Sequence, residues 1–213
     1  MKERRRATIL SYRRRDVKRP RRILFAGLFL AVALAAPLCA AEGPENPPPQ
    51  YSLGDQTLSI NAGFFTPLFL LPSGKALLPN QLSLGGMGTL NWMVYVAPQL
   101  RLGVDIGGTF AFSPNMNTLL MLPITAKASW VFPVYPFEIP VSLGIGMNVV
   151  KYVDQSIVDL LLKPGASLLW IYNSSWSFGV NAVWWLDFQF AADPSQSRVG
   201  NFLEISLSAL YHY

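Results

Sequence analysis

The chain has 213 residues with a formal net charge of +5 and a pI near 9.5, figures that would suit a nucleic-acid partner. The charge is not spread along the chain, however. Eleven of the 17 Lys and Arg residues lie between Lys2 and Arg22, leaving six basic against ten acidic residues after Ala41. The basic balance belongs to a leader, and no nucleic-acid partner is expected.

The leader is laid out as a secretory signal. A basic region runs to Arg22, an apolar stretch follows from Ile23 to about Ala36, and Pro37 and small residues come next. Cleavage is expected near Ala40 or Ala41, so residues 1–41 are read as a signal peptide. An uncleaved anchor over Ile23–Ala41 is the alternative. Cys39 is the single cysteine, and Leu38 before it is too large for the usual lipoprotein site. Residues 42–55 contain Pro47, Pro48 and Pro49 and read as a stiff periplasmic linker with no core of its own.

From Gln56 the pattern becomes alternation of apolar and polar residues, which is the period of a β-strand. Eight strands are expected, all antiparallel. The first is Gln56–Phe65, with Leu58, Ile60, Ala62 and Phe64 on one face. The second is Gln81–Val96, and a short turn leads to the third, Leu100–Phe112. The fourth is Leu119–Phe132 and the fifth Glu138–Tyr152. The sixth is Leu160–Tyr172, the seventh Trp176–Phe190 and the eighth Phe202–Tyr213.

Alternation alone fits a soluble sandwich as well as a barrel in lipid. The second face decides between them. A soluble surface carries roughly 25–35% charged residues, whereas residues 42–213 hold 16 charges in 172 positions. That second face reads as mostly Gly, Ser, Thr and Asn, which suits the lumen of a narrow tube. The aromatic residues sort into two levels, as in barrels with a girdle at each lipid interface. Trp92, Trp130, Tyr135, Trp170, Tyr172 and Trp176 fall near the three short turns, and Phe64, Phe110 and Phe188 fall at the opposite ends. The fold expected for 56–213 is therefore an all-β, transmembrane, up-and-down barrel of about eight strands, with outer-membrane lipid around it. Its short turns would face the periplasm and its longer loops the outside.

Strand number, length and pattern over 56–213 resemble the small bacterial outer-membrane barrels of the OmpX, OmpW and OmpA-barrel kind. The C-terminus carries the most specific likeness. Leu203, Ile205, Leu207, Ala209, Tyr211 and Tyr213 alternate up to a terminal aromatic. This resembles the family's assembly signal, with Tyr where Phe is usual, and it implies the barrel-assembly machinery as a partner.

No enzyme site is expected. His212 is the only histidine, lies next to the C-terminal residue, and no triad can be assembled around it. Neither a metal nor a cofactor is expected, because one histidine and no cysteine after Ala41 give too few ligands. Gly85-Gly86-Met87-Gly88 and Gly144-Ile145-Gly146 lack the strand-to-helix context of phosphate loops and read as close approaches within strands. Six charges fall on the inward parity: Arg101, Asp105, Lys127, Lys163, Asp187 and Glu204. Lys163, Asp187 and Glu204 are expected to form one network in the outer half, and Arg101, Asp105 and Lys127 another lower down, bracing a filled lumen.

The first outer loop is placed at Thr66–Asn80, with Phe69, Leu70, Leu71, Leu77 and Leu78 as its apolar content. Such a patch is expected to fold over the mouth or dip into lipid. Two functions fit. One is a structural or surface-interaction barrel. The other is a narrow, porin-like channel with a small hydrophobic ligand, as the OmpW likeness implies. Eight strands are too few for a wide aqueous pore.

Overall fold

The computed structural model describes residues 51–73, 76, 78–79, 82–115, 117–153, 155–190 and 197–213, all within one unit, Pro44–Tyr213. The leader, residues 42–50 and Leu77 lie outside them. The strands are β1 (Gln56–Pro72), β2 (Leu78–Pro79), β3 (Gly85–Ala97), β4 (Leu100–Phe112), β5 (Thr118–Val134), β6 (Phe137–Tyr152), β7 (Gln155–Ile171), β8 (Trp176–Gln189) and β9 (Arg198–His212). Setting aside the two-residue β2, eight strands pair antiparallel in chain order. β9 then returns to β1, with Thr57 opposite His212 and Pro72 opposite Arg198. At the seam the amides and carbonyls of Gln56 and Tyr213 bond each other reciprocally at 3.0 Å. Closure satisfies the backbone groups that an open edge would leave to lipid.

The period of two sorts the side chains. Outward positions carry Ile60, Leu90, Val104, Ile124, Ile145 and Leu207, all exposed. Inward positions carry Thr57, Ser59, Asn61, Asn91, Thr125 and Ser208, all buried. An apolar exterior over a polar interior is the reverse of a soluble domain, and it is the arrangement of a barrel in lipid. The expected girdle residues Trp92, Trp130, Tyr135, Trp170, Tyr172 and Trp176 stand exposed on the outer surface near the short turns. Trp92 Nε1 donates to Gln56 Oε1 and Tyr213 Oη, each at 3.1 Å. Phe64 and Phe110 are exposed toward the other end, where Phe188 is half-buried.

Several expected boundaries change. β1 does not end at Phe65 but continues to Pro72, so Phe69, Leu70 and Leu71 belong to a strand and not to a loop. The continuation passes through a register shift between Pro67 and Phe69. Pro67 lacks the amide that an unbroken ladder requires, and a bulge accommodates it. The bulge also resets the parity: Phe65 points inward before it, whereas after it Leu70 lines the lumen mouth and Leu71 is exposed. Leu78 lies in β2, opposite Leu70. β3 starts at Gly85 and not Gln81, and β9 starts at Arg198 and not Phe202. β7 starts at Gln155 and not Leu160, with Tyr152 opposite Gln155, so the β6–β7 connection is as tight as the turns at the other end. Its Val153 takes a φ of 55°. Long loops at one end and short turns at the other is therefore too simple a description.

Gly146 shows why the strands need glycine. A Cβ there would stand 2.1 Å from the Ile124 carbonyl oxygen of the neighbouring strand, and backbone cannot yield as a side chain can. Gly146→Ala is expected to destabilise the barrel by about 1–3 kcal/mol. The check is a lower urea midpoint for loss of the compact, heat-modifiable band on unboiled SDS gels.

Candidate functional site: a layered lumen beneath an outer vestibule

The inner face is filled in layers, beginning at the end with the short turns. There the chain ahead of β1 folds back into the mouth. Ser52 N donates to Asp55 Oδ2 (2.7 Å), Gly54 N donates to the Tyr95 carbonyl (2.9 Å), and Tyr95 N donates to that of Asp55 (2.8 Å). Gly54 adopts a φ of 96°, a conformation that suits a residue without a Cβ. This turn places Tyr51 across the opening. Its ring stacks on Tyr95 (centroids 4.5 Å apart) and on His212 (5.0 Å), and its hydroxyl donates to Glu138 Oε1 at 2.7 Å. Burial raises the Tyr51 phenol well above its ordinary pKa, and the adjacent Glu138 carboxylate adds to the shift. Residues 51–55, expected as linker, are thus tied into the barrel.

His212 is buried at this level, its Nε2 3.1 Å from Ser177 Oγ. The pair superficially resembles a catalytic dyad. However, Ser177 is fully buried, Tyr51 covers the imidazole, and His212 Nδ1 has no hydrogen-bond partner among the described residues. A base oriented by a third group is missing.

Above the mouth comes a belt of small polar residues. Asn61 Nδ2 donates to Thr89 Oγ1 (2.9 Å), and Asn181 Nδ2 donates to Asn61 Oδ1 (3.0 Å). The cavity here, lined by Ser59, Asn91, Lys127 and Ser129 among others, measures only about 30 Å³, room for about one water.

The next layer holds the charges. Lys163 Nζ lies 2.6 Å from Asp105 Oδ2 and 3.5 Å from Glu204 Oε2, with all three side chains buried. Asn91 Nδ2 reaches Asp105 Oδ1 (3.5 Å), Trp185 Nε1 donates to Glu204 Oε2 (2.8 Å), and the ammonium stands 4.4 Å from the centre of the Trp185 ring. The expected grouping is corrected in two respects. Lys163 joins Asp105, from the set expected lower down, and Asp187 is not a member. The strands are sheared around the tube, so residues at equal distances from their own turns do not share a level. Arg101, expected beside Asp105 and Lys127, does share the lining of the small cavity with Lys127, while its guanidinium stands 5.5 Å from the Tyr95 ring at the mouth. Neither Arg101 nor Lys127 forms an ion pair among the described residues.

Over the charges sits an apolar plug that the expected Gly, Ser, Thr and Asn lining does not contain. Phe65 packs against Trp185 (5.1 Å) and Phe202 (4.9 Å), joined by Met87, Met121 and Leu161. Beyond the plug the barrel opens as a vestibule of about 600 Å³. Leu119, Met121, Val150 and Phe202 contribute its apolar lining, together with Leu70 and Leu78. Asp159 and Asp187 also face it, and Asn148 Nδ2 donates to Asp187 Oδ2 at 3.2 Å.

Sequence reasoning missed Tyr51, Glu138, Asp159, Trp185 and Phe202. Four of them were within reach of parity. Glu138 shares that of Ser142, Trp185 that of Asp187, Phe202 that of Glu204, and Asp159 that of Lys163 once β7 is given its full length. Tyr51 had no comparable signal, because no periodicity precedes β1.

Two measurements test this arrangement. Lys163→Met strands buried carboxylates and is expected to cost about 3–5 kcal/mol, whereas Lys163→Met with Asp105→Leu and Glu204→Leu should cost much less. Urea unfolding of the three-residue variant against the single one decides whether they act as a unit. For Tyr51, the folded state keeps the phenol proton where the unfolded chain gives it up. Stability contributed by this group is complete below pH 10.0 and falls as pH rises beyond it. Tyr51→Phe should lower stability at neutral pH and flatten the alkaline decline, read as the difference between the two stability–pH curves.

The chain is similar to an uncharacterized protein of Borreliella burgdorferi, 27% identical over 176 residues, a stretch covering 72% of this chain and 81% of that protein. An uncharacterized protein of Treponema pallidum is 26% identical over 131 residues, 61% of this chain and 60% of its own. Among solved structures, Neisserial surface protein A superposes with a TM-score of 0.54 at 11% identity, over 75% of this chain and 97% of that one. That likeness is one of fold. A protein-family model matches residues 41–211, most of the chain; the chain belongs to the family of that model, and its fold is that of the small outer-membrane β-barrels.

Proposed function

We propose that the protein is a closed-lumen barrel of the outer membrane with a structural or surface-interaction role, and not a conducting pore. The observation that carries this reading is the filling of the tube. The Phe65–Trp185–Phe202 plug lies directly over the Asp105–Lys163–Glu204 network, and the space beneath is about 30 Å³. A hydrated ion would have to break a buried ion pair and displace an aromatic cluster to pass. Outer-membrane lipid covers the exterior, and the alternating face ending in Tyr211 and Tyr213 is offered to the barrel-assembly machinery. The buried Ser177–His212 pair under Tyr51 favours a non-catalytic reading.

A second reading, a route for small hydrophobic molecules, draws on the vestibule and its apolar lining. The plug would then direct a solute sideways into lipid. Two measurements separate the readings. The closed barrel is expected to give no resolved conductance steps in a planar bilayer and no faster uptake of an apolar dye into liposomes. Conductance steps would overturn closure, and protein-dependent uptake without conductance would establish the second reading.

A further inference from the structure

The vestibule combines two features that neither a surface role nor a closed lumen requires. One is size: about 600 Å³, within the roughly 300–1,000 Å³ of small-molecule sites. The other is a pair of buried carboxyl groups set into apolar walls. Asp159 and Asp187 face the space from the adjacent strands β7 and β8, each only 7% exposed. Asp187 Oδ1 has no hydrogen-bond partner among the described residues, and its other oxygen is met only by the Asn148 amide. Leu161 lies opposite Asp187, so Asp159 is its diagonal neighbour across the ladder, at about 7–8 Å between backbones. One compact cation can sit between two side chains placed that way. Arg198 also lines the vestibule, close enough for its charge to act on Asp159, but it hydrogen-bonds Gln189 and forms no direct ion pair with either carboxyl group among the described residues. The charge of Lys163 is taken by Asp105 and Glu204 beneath the plug.

We infer that this vestibule is a binding site for a small organic cation, a primary ammonium on a short hydrocarbon body, with the ammonium held by Asp187 and Asp159. Three N–H donors match the free carboxylate oxygens, and a charge-assisted hydrogen bond is stronger than a neutral one. The hydrocarbon would lie against Leu119, Met121, Val150 and Phe202, where burial removes apolar surface from water. A metal ion is a poorer occupant. Among the described residues no three His, Cys, Asp or Glu side chains converge, and hard divalent cations take six or more oxygen ligands. The walls are mostly apolar, which suits the body of an organic ion and offers nothing to a hydrated metal.

The test uses the membrane-isolated protein in phosphatidylcholine nanodiscs, with empty nanodiscs subtracted for partitioning. Calorimetric titration compares n-hexylammonium, hexan-1-ol and calcium. Hexylammonium should bind with one-to-one stoichiometry, and hexanol at least about tenfold more weakly. Asp187→Asn and Asp159→Asn should each weaken hexylammonium by about tenfold while leaving hexanol unchanged. Both variants are first checked for the heat-modifiable folded band. If Asp187→Asn fails that check, Asp159→Asn alone decides, because among the described residues no side-chain hydrogen bond or ion pair of Asp159 is lost with it. Equal affinity for hexanol and hexylammonium, or indifference to both substitutions, would overturn the inference in favour of a plain apolar cavity. Stoichiometric calcium binding that displaces hexylammonium would overturn it in favour of a metal site. None of these outcomes depends on whether the barrel conducts.

Discussion

An eight-stranded tube has to fill itself. The circumference is set once the strands close, and every second residue of every strand then points into a space that admits side chains and little else. The layers follow from that constraint. Trp185 and Phe202 share one level with Phe65, Met87, Met121 and Leu161, and small polar side chains share the belt below. Charge enters this narrow interior only in company. Lys163 is met by two carboxylates and an indole face, so the ion group braces β4, β7 and β9 against one another across the lumen.

The two ends of the tube meet the same constraint differently. At the turn end the chain itself supplies the filler, by folding Tyr51 back between Tyr95 and His212. At the other end nothing in the described residues fills the last level, and the space above Phe202 stays open as the vestibule. The two mouths therefore differ in their lining. One mouth is sealed by an aromatic stack, and the other presents apolar walls with two carboxylates set into them.

Most of the outer face of the fold was legible in the sequence, since lipid demands apolar residues at every second position and girdle aromatics at the ends. The alternation of Leu203 to Tyr213 and the exposed Trp residues needed no structure to be placed. The inner face was legible only as a parity. Parity assigns a side chain to the lumen but not to a height, because height depends on shear between strands, and shear is a property of the closed sheet. That is why Lys163 was matched with Asp187 as well as Glu204, when its partners are Asp105 and Glu204. The stretch Thr66–Leu71 failed for a related reason. Pro67 and the run of apolar residues after it look like the end of a strand, and only pairing with β9 shows that a bulge carries the strand onward. Tyr51 was illegible because its place depends on a turn built around Gly54 and not on any repeating pattern.

The seam between β1 and β9 has a consequence in time. Every other major ladder joins strands that are neighbours in the chain and can pair as soon as both are present. The seam joins the first strand to the last, so its partners are separated by almost the whole barrel sequence, and contacts of that range form slowly. Until His212 reaches Thr57, β1 holds a long row of unpaired amides and carbonyls in surroundings that cannot solvate them. Pairing along the seam therefore does two things at once: it closes the barrel and removes its one open edge.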